Sequence, residues 1–183
     1  MKKIILKYGL ISGAFCSLMM EVNIRVADRI GFDRGLYLGY TIIVLSFLLV
    51  YFGIRSYRET DGGGQITFAR AFGIGILITL ITCICYVVTW EIIYFNFMPD
   101  FLDKYGAYVL AKAKASGVSE AALQAKMAEL ARSKALYNNV FYNSAETFLE
   151  PFPVGLLMTL LSAAMLRKKA RTETTEEPVA ASR

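Results

Sequence analysis

Between Gly35 and Ile54 the chain runs for twenty residues, GLYLGYTIIVLSFLLVYFGI, without a charge, Asn, Gln or Pro. As a helix rising ~1.5 Å per residue this stretch is ~30 Å long, the thickness of a bilayer's hydrocarbon core. A soluble helix of that length needs a polar face, and this one has none. Ala71 to Trp90 repeats the pattern, Ile4 to Met20 is interrupted only by Lys7, and Phe148 to Leu166 only by Glu150 near its start. The pattern predicts four transmembrane helices, at about 4–24, 35–54, 71–97 and 148–166.

The segment 98–147 breaks the pattern, being too charged for the bilayer and too long for a turn. From Asp100 to Ala115 the residues Leu102, Tyr105, Tyr108, Val109 and Lys112 fall on one helical stripe, and Gly117 ends it. Ser119 is placed to cap a second helix whose stripe is Leu123, Met127 and Leu130. The expected fold class is therefore all-α: an integral membrane bundle of four transmembrane helices, with an extracytoplasmic amphipathic helical hairpin between the third and fourth spans. Residues 1–170 read as one membrane domain and 171–183, small and acidic, as a disordered cytoplasmic tail.

Composition agrees, since 56% of the 183 residues are hydrophobic and only 19% charged, too little polar surface for a soluble domain of this size. Four spans put both termini on one side. Arg167, Lys168, Lys169 and Arg171 directly after the last span, with Lys2, Lys3, Lys7, Arg55, Arg58 and Arg70, make that side the cytoplasm. The expected location is the cell inner membrane. The net charge of +5 then belongs to an inner rim facing lipid, so nucleic acid is not an expected partner. Cys16, Cys83 and Cys85 all lie in spans and His is absent, which removes His-based triads, most zinc chemistry and the usual haem ligands. Neither a cofactor nor a metal is expected.

Three motifs carry a family resemblance: GIRSYRE at Gly53 to Glu59, followed by the Gly62–Gly64 turn, then QITFARAFGIG at Gln65 to Gly75, and MPDF at Met98 to Phe101. Over roughly residues 5 to 166 the chain resembles the bacterial membrane proteins grouped as domain of unknown function 4199. The resemblance implies four membrane helices with a long segment before the last one, and it implies no activity. The glycine turn itself lacks the Lys-Ser/Thr pair of a phosphate loop and reads as a flexible connection.

One constellation could carry chemistry. Glu21, Glu91 and Glu150 each lie near a span end, and the topology brings all three to the same outer layer, where Arg25, one turn after Glu21, can neutralise it. Trp90 and Tyr94 read as interfacial anchors. Nucleophile–base pairs are not recognisable, so no enzyme is expected. The expected function is that of a non-enzymatic multi-pass protein interacting with another envelope protein or with membrane lipid through its outer hairpin. The alternative is a small transporter or channel subunit with an outward-facing carboxylate cavity. Small residues four apart, Gly9 with Gly13, Gly35 with Gly39, Ala69 with Gly73 and Ala71 with Gly75, suit close helix packing within the bundle, or a homo-oligomer.

Overall fold

A computed structural model describes residues 1–168; the acidic tail 171–183 lies outside the described residues. Seven helices follow in order: α1 (Lys2–Ile30), α2 (Phe32–Thr60), α3 (Phe68–Phe97), α4 (Phe101–Ala115), α5 (Glu120–Tyr137), α6 (Val140–Leu149) and α7 (Phe152–Leu166). Four segments are long and apolar enough to cross a membrane: α1, α2, α3, and α6 with α7 taken together over Val140–Leu166.

The spans form a four-helix bundle in which α1 packs on α2 and α3, α7 packs on the same two helices, and α2 meets α3 across the middle. Lipid is as apolar as these side chains, so association depends on close backbone approach and on small polar contacts. Gly13 supplies one approach: a Cβ there would stand 2.6 Å from the Cys85 sulfur, and Gly9 meets Ile81 in the same way. Gly75 faces Thr159, Ile54 and Val50, while Gly155 faces Thr79 and the Phe47 ring. A Cβ at Gly39 would stand 3.2 Å from the Asn23 amide nitrogen, so three of the small-residue pairs bear on contacts inside the bundle; Gly73 has nothing within 4 Å. Buried hydroxyls add cross-links, with Ser12 Oγ donating to the Ser46 carbonyl at 2.8 Å and Thr79 Oγ1 3.0 Å from Thr159 Oγ1. Phe47, Ile43, Ile54, Ile74, Ile78 and Val50 complete the core.

One end of the bundle gathers the first residue, the α2–α3 connection and the end of α7. Ile66 and Lys168 exchange two backbone hydrogen bonds, of 3.1 and 2.9 Å, and the Met1 amine pairs with Asp61. Gly63 and Gly64 turn the chain here at φ +58° and +81°, a region that side chains disfavour. The hairpin occupies the opposite end. Its root stands on the α1–α2 connection, where the Phe32 ring meets Phe101, Tyr105 and Tyr108 at centroid distances of 6.2, 5.7 and 5.2 Å, and Lys112 bonds Asp33 at 2.7 Å.

Gly117, at φ +70°, separates the hairpin's helices, and Ser119 caps α5 by accepting from the Ala122 N–H at 3.3 Å. Of the expected α5 stripe, Leu123 is buried and Leu130 is half-buried near Gly106, but Met127 remains 52% exposed. The hairpin therefore uses only part of its apolar stripe internally.

The fourth apolar segment also differs from the expected 148–166. Helix begins at Val140, capped by Asn139, whose Oδ1 accepts from the N–H groups of Phe141 and Tyr142. It breaks at Glu150 and Pro151 before resuming as α7. Pro151 and Pro153 lack the N–H groups that would have bonded the carbonyls of Thr147 and Leu149, which is why the helix yields at this point.

Candidate polar site on the third and sixth helices

Helix α6 presents Asn143, Thr147 and Glu150 at spacings of four and three, which places them along one face. That face lies against α3 running the other way. Asn143 Oδ1 accepts from Trp90 Nε1 and from Thr147 Oγ1, each at 3.1 Å. Further along, the Tyr86 hydroxyl donates to Glu150 Oε2 at 2.8 Å, and Ser144 Oγ donates to Glu91 Oε1 at 2.9 Å. Tyr94 closes the seam by donating to Asn138 Oδ1 at 3.2 Å, tying α3 to the end of the hairpin.

Asn143 is fully buried, yet its Nδ2 has no partner among the described residues, and neither does Glu91 Oε2. Unpaired buried atoms of this kind cost about 1–3 kcal/mol each. The seam is therefore a place where polarity is retained against packing. Beside it stands Tyr137, outside the apolar segments, whose phenol burial pushes above its usual range.

The four expected site residues separate into two groups. Glu91 and Glu150 both belong to the α3–α6 seam, each held by a neutral hydroxyl. Glu21 does not join them: it pairs with Arg25 on the exposed surface of α1. Position along a span gives depth but not azimuth, so three carboxylates near one end need not share a face. Trp90 and Tyr94, expected as interfacial anchors, are packed against other aromatic rings. Tyr94 is only 2% exposed, and Trp90 stacks on it at 5.9 Å while meeting Phe101 edge-on at 5.1 Å. Both join the hairpin to the third span, because the aromatic residues of α4 and α5 cover them.

A groove of about 650 Å³ opens along α6, lined by Tyr137, Tyr142, Glu146, Thr147 and Glu150 among others. Thr147, Ser144, Tyr137, Tyr142 and Glu146 were not expected as site residues. Their signal in the sequence is the interruption of the apolar run Val140–Leu166 by polar residues at helical spacing. Among the described residues, no three His, Cys, Asp or Glu side chains converge as metal ligands. Cys16, Cys83 and Cys85 are free thiols. The chemistry available is hydrogen bonding and the attraction of positive charge.

Four apolar helices and a helical hairpin place the chain among all-α proteins built to span a membrane. The model of the family described as Protein of unknown function (DUF4199) matches residues 7–168, and the chain belongs to that family. The match includes all four apolar segments, apart from the first residues of α1, and the whole hairpin. Neither the curated proteins nor the solved structures include a match to this chain.

Proposed function

We propose that this chain is a non-enzymatic multi-pass protein of a bacterial inner membrane, with both termini in the cytoplasm, and that the α4–α5 hairpin is its extracytoplasmic interaction element. The observation that carries this reading is the division of labour within the hairpin. Its root is fixed to the spans by Phe32, Trp90 and Tyr94, whereas α5 leaves Met127 exposed on a stripe whose neighbours Leu123 and Leu130 turn inward. A rigid stalk with an unspent apolar position suits contact with another envelope protein. Basic residues at the opposite end supply the orientation through the positive-inside preference.

A photo-crosslinking residue at Ala131, exposed and one turn from Met127 on α5, tests the reading in intact cells. A discrete crosslinked species that disappears with Met127→Ser, while the protein stays in the membrane, is the expected result. Leu123→Ser, by contrast, should lower stability by about 2–3 kcal/mol, because it removes a buried apolar side chain. Equal effects at both positions would mean that the hairpin only caps the bundle.

A transporter or channel subunit is the second reading, favoured by the break in the fourth span beside Glu150. Broken helices and ionisable groups at membrane depth recur at transport sites. Four spans alone form a short path, so this reading also requires a homo-oligomer.

A further inference from the structure

We infer that the groove along α6 is a binding site for a primary ammonium group, of the kind carried by an amine-bearing phospholipid headgroup. The depth of the groove comes first. Leu166 and the adjoining Arg167 and Lys168 mark one boundary of the hydrocarbon, and Glu150 lies sixteen residues before Leu166, ~24 Å along the helix direction. In a core ~30 Å thick, Glu150 is just beneath the opposite boundary, and Glu146, one turn further, is at headgroup level. The flanking side chains Leu149 and Phe141 are 63% and 87% exposed, as expected for a surface covered by lipid.

The charge pattern names the ligand class. Glu146 and Glu150, the C-cap of α6, are four apart and both line the groove, so their carboxylates can bracket a single cation. Their protein neighbours are phenols: Tyr142 beside Glu146 and Tyr86 on Glu150. The ion pairs among the described residues include neither carboxylate. An ionised carboxylate just beneath the hydrocarbon boundary is costly without a counter-charge, and the groove that holds Glu150 is large enough to admit one. The rings of Tyr137 and Tyr142 in the lining add faces that attract a cation.

Arg132, on α5, is close enough to Tyr142 to act on it electrostatically, and it too is outside the ion pairs of the described residues. Carboxylates in the groove, with a guanidinium within electrostatic reach of Tyr142 in its lining, suit a zwitterion, the ammonium on the carboxylates and the phosphate toward Arg132. A primary ammonium donates three hydrogen bonds to the carboxylates, and a quaternary one donates none. The inference requires a membrane, and it holds whichever side the hairpin faces.

The test uses the full chain in nanodiscs containing phosphatidylethanolamine, phosphatidylcholine or phosphatidylglycerol, with retained lipid counted by native mass spectrometry. Phosphatidylethanolamine should be retained about tenfold over phosphatidylcholine, and Glu146→Gln with Glu150→Gln should erase the preference. Glu146 is exposed, so Glu146→Gln alone keeps the fold and should still weaken retention if the double variant unfolds. Spermidine added to phosphatidylcholine discs separates the two sources of the same chemistry. Carboxylate-dependent spermidine binding, without a lipid preference, assigns the site to a soluble amine. Equal retention of all three lipids, with no carboxylate-dependent amine binding, overturns the inference.

Discussion

Gly155→Ala is the most demanding test of the packing, because a single methyl group is enough to disturb two elements of the core. A Cβ at this position would stand 2.5 Å from Thr79 Cγ2 and 2.7 Å from both Cε1 and Cζ of Phe47. Comfortable carbon contacts lie at about 3.5–4.0 Å, so each neighbour must retreat by roughly 1 Å. Phe47 is fully buried and has little room to move. Thr79 is no freer, since its hydroxyl is 3.0 Å from Thr159 Oγ1 and donates to the Gly155 carbonyl at 3.3 Å. Overpacking costs about 1–3 kcal/mol and loss of one of these bonds about 1 kcal/mol, against about 1 kcal/mol regained from the better helix former. The net expectation is a loss of about 2 kcal/mol, roughly thirtyfold in the folding equilibrium. Gly73→Ala is the control: with nothing within 4 Å it should be neutral or stabilising by up to about 1 kcal/mol. Equilibrium unfolding in mixed micelles, followed by the fluorescence of Trp90, the single tryptophan, measures both variants. A Gly155→Ala protein as stable as the parent, or less disturbed than Gly73→Ala, would refute the packing argument.

Two further outcomes follow from the site and from the hairpin root. In reconstituted vesicles Glu91→Gln should leave ion flux indistinguishable from the parent, because Glu91 is held by Ser144 and Glu21 is engaged on the surface of α1; a changed flux would favour the transport reading. Asp33, by its hydrogen bond, holds the Lys112 ammonium above the usual lysine range. A group raised on folding contributes fully below its unfolded value of about 10.4, and that contribution is lost only as pH rises through the folded value. Spin labels on α4 should therefore show the same mobility between about pH 6 and pH 9, and loosening within that window would contradict the assignment of this pair.

The bundle was legible because the bilayer demands long apolar helices, and Gly35–Ile54 and Ala71–Trp90 satisfy that demand without a single charge. The hairpin was legible through local signals, Gly117 at a positive φ and Ser119 as a cap, both of which act without tertiary help. Helix α6 was harder to see. Asn143, Ser144, Glu146 and Thr147 lower the apparent hydropathy of the segment, and Asn143, Ser144 and Thr147 find partners on α3 or on each other once the chain has folded. Partnership across two helices distant in sequence leaves no trace in a linear pattern. The same limit separated Glu21 from Glu91 and Glu150, since shared depth does not imply a shared face. Trp90 and Tyr94 have the composition of an interfacial belt, and only the arrival of Phe101 and Tyr137 turns them into the hairpin's foundation.

The central claim is a four-span bundle that presents its hairpin on the side opposite the α2–α3 turn. Paired cysteines at Gly63 and Gly117, labelled in intact cells with a membrane-impermeant maleimide, test it most directly in a background where Cys16, Cys83 and Cys85 are replaced. The account predicts labelling at position 117 in intact cells, and at position 63 only after the membrane is opened. Labelling of both positions, or of neither, in intact cells would contradict it.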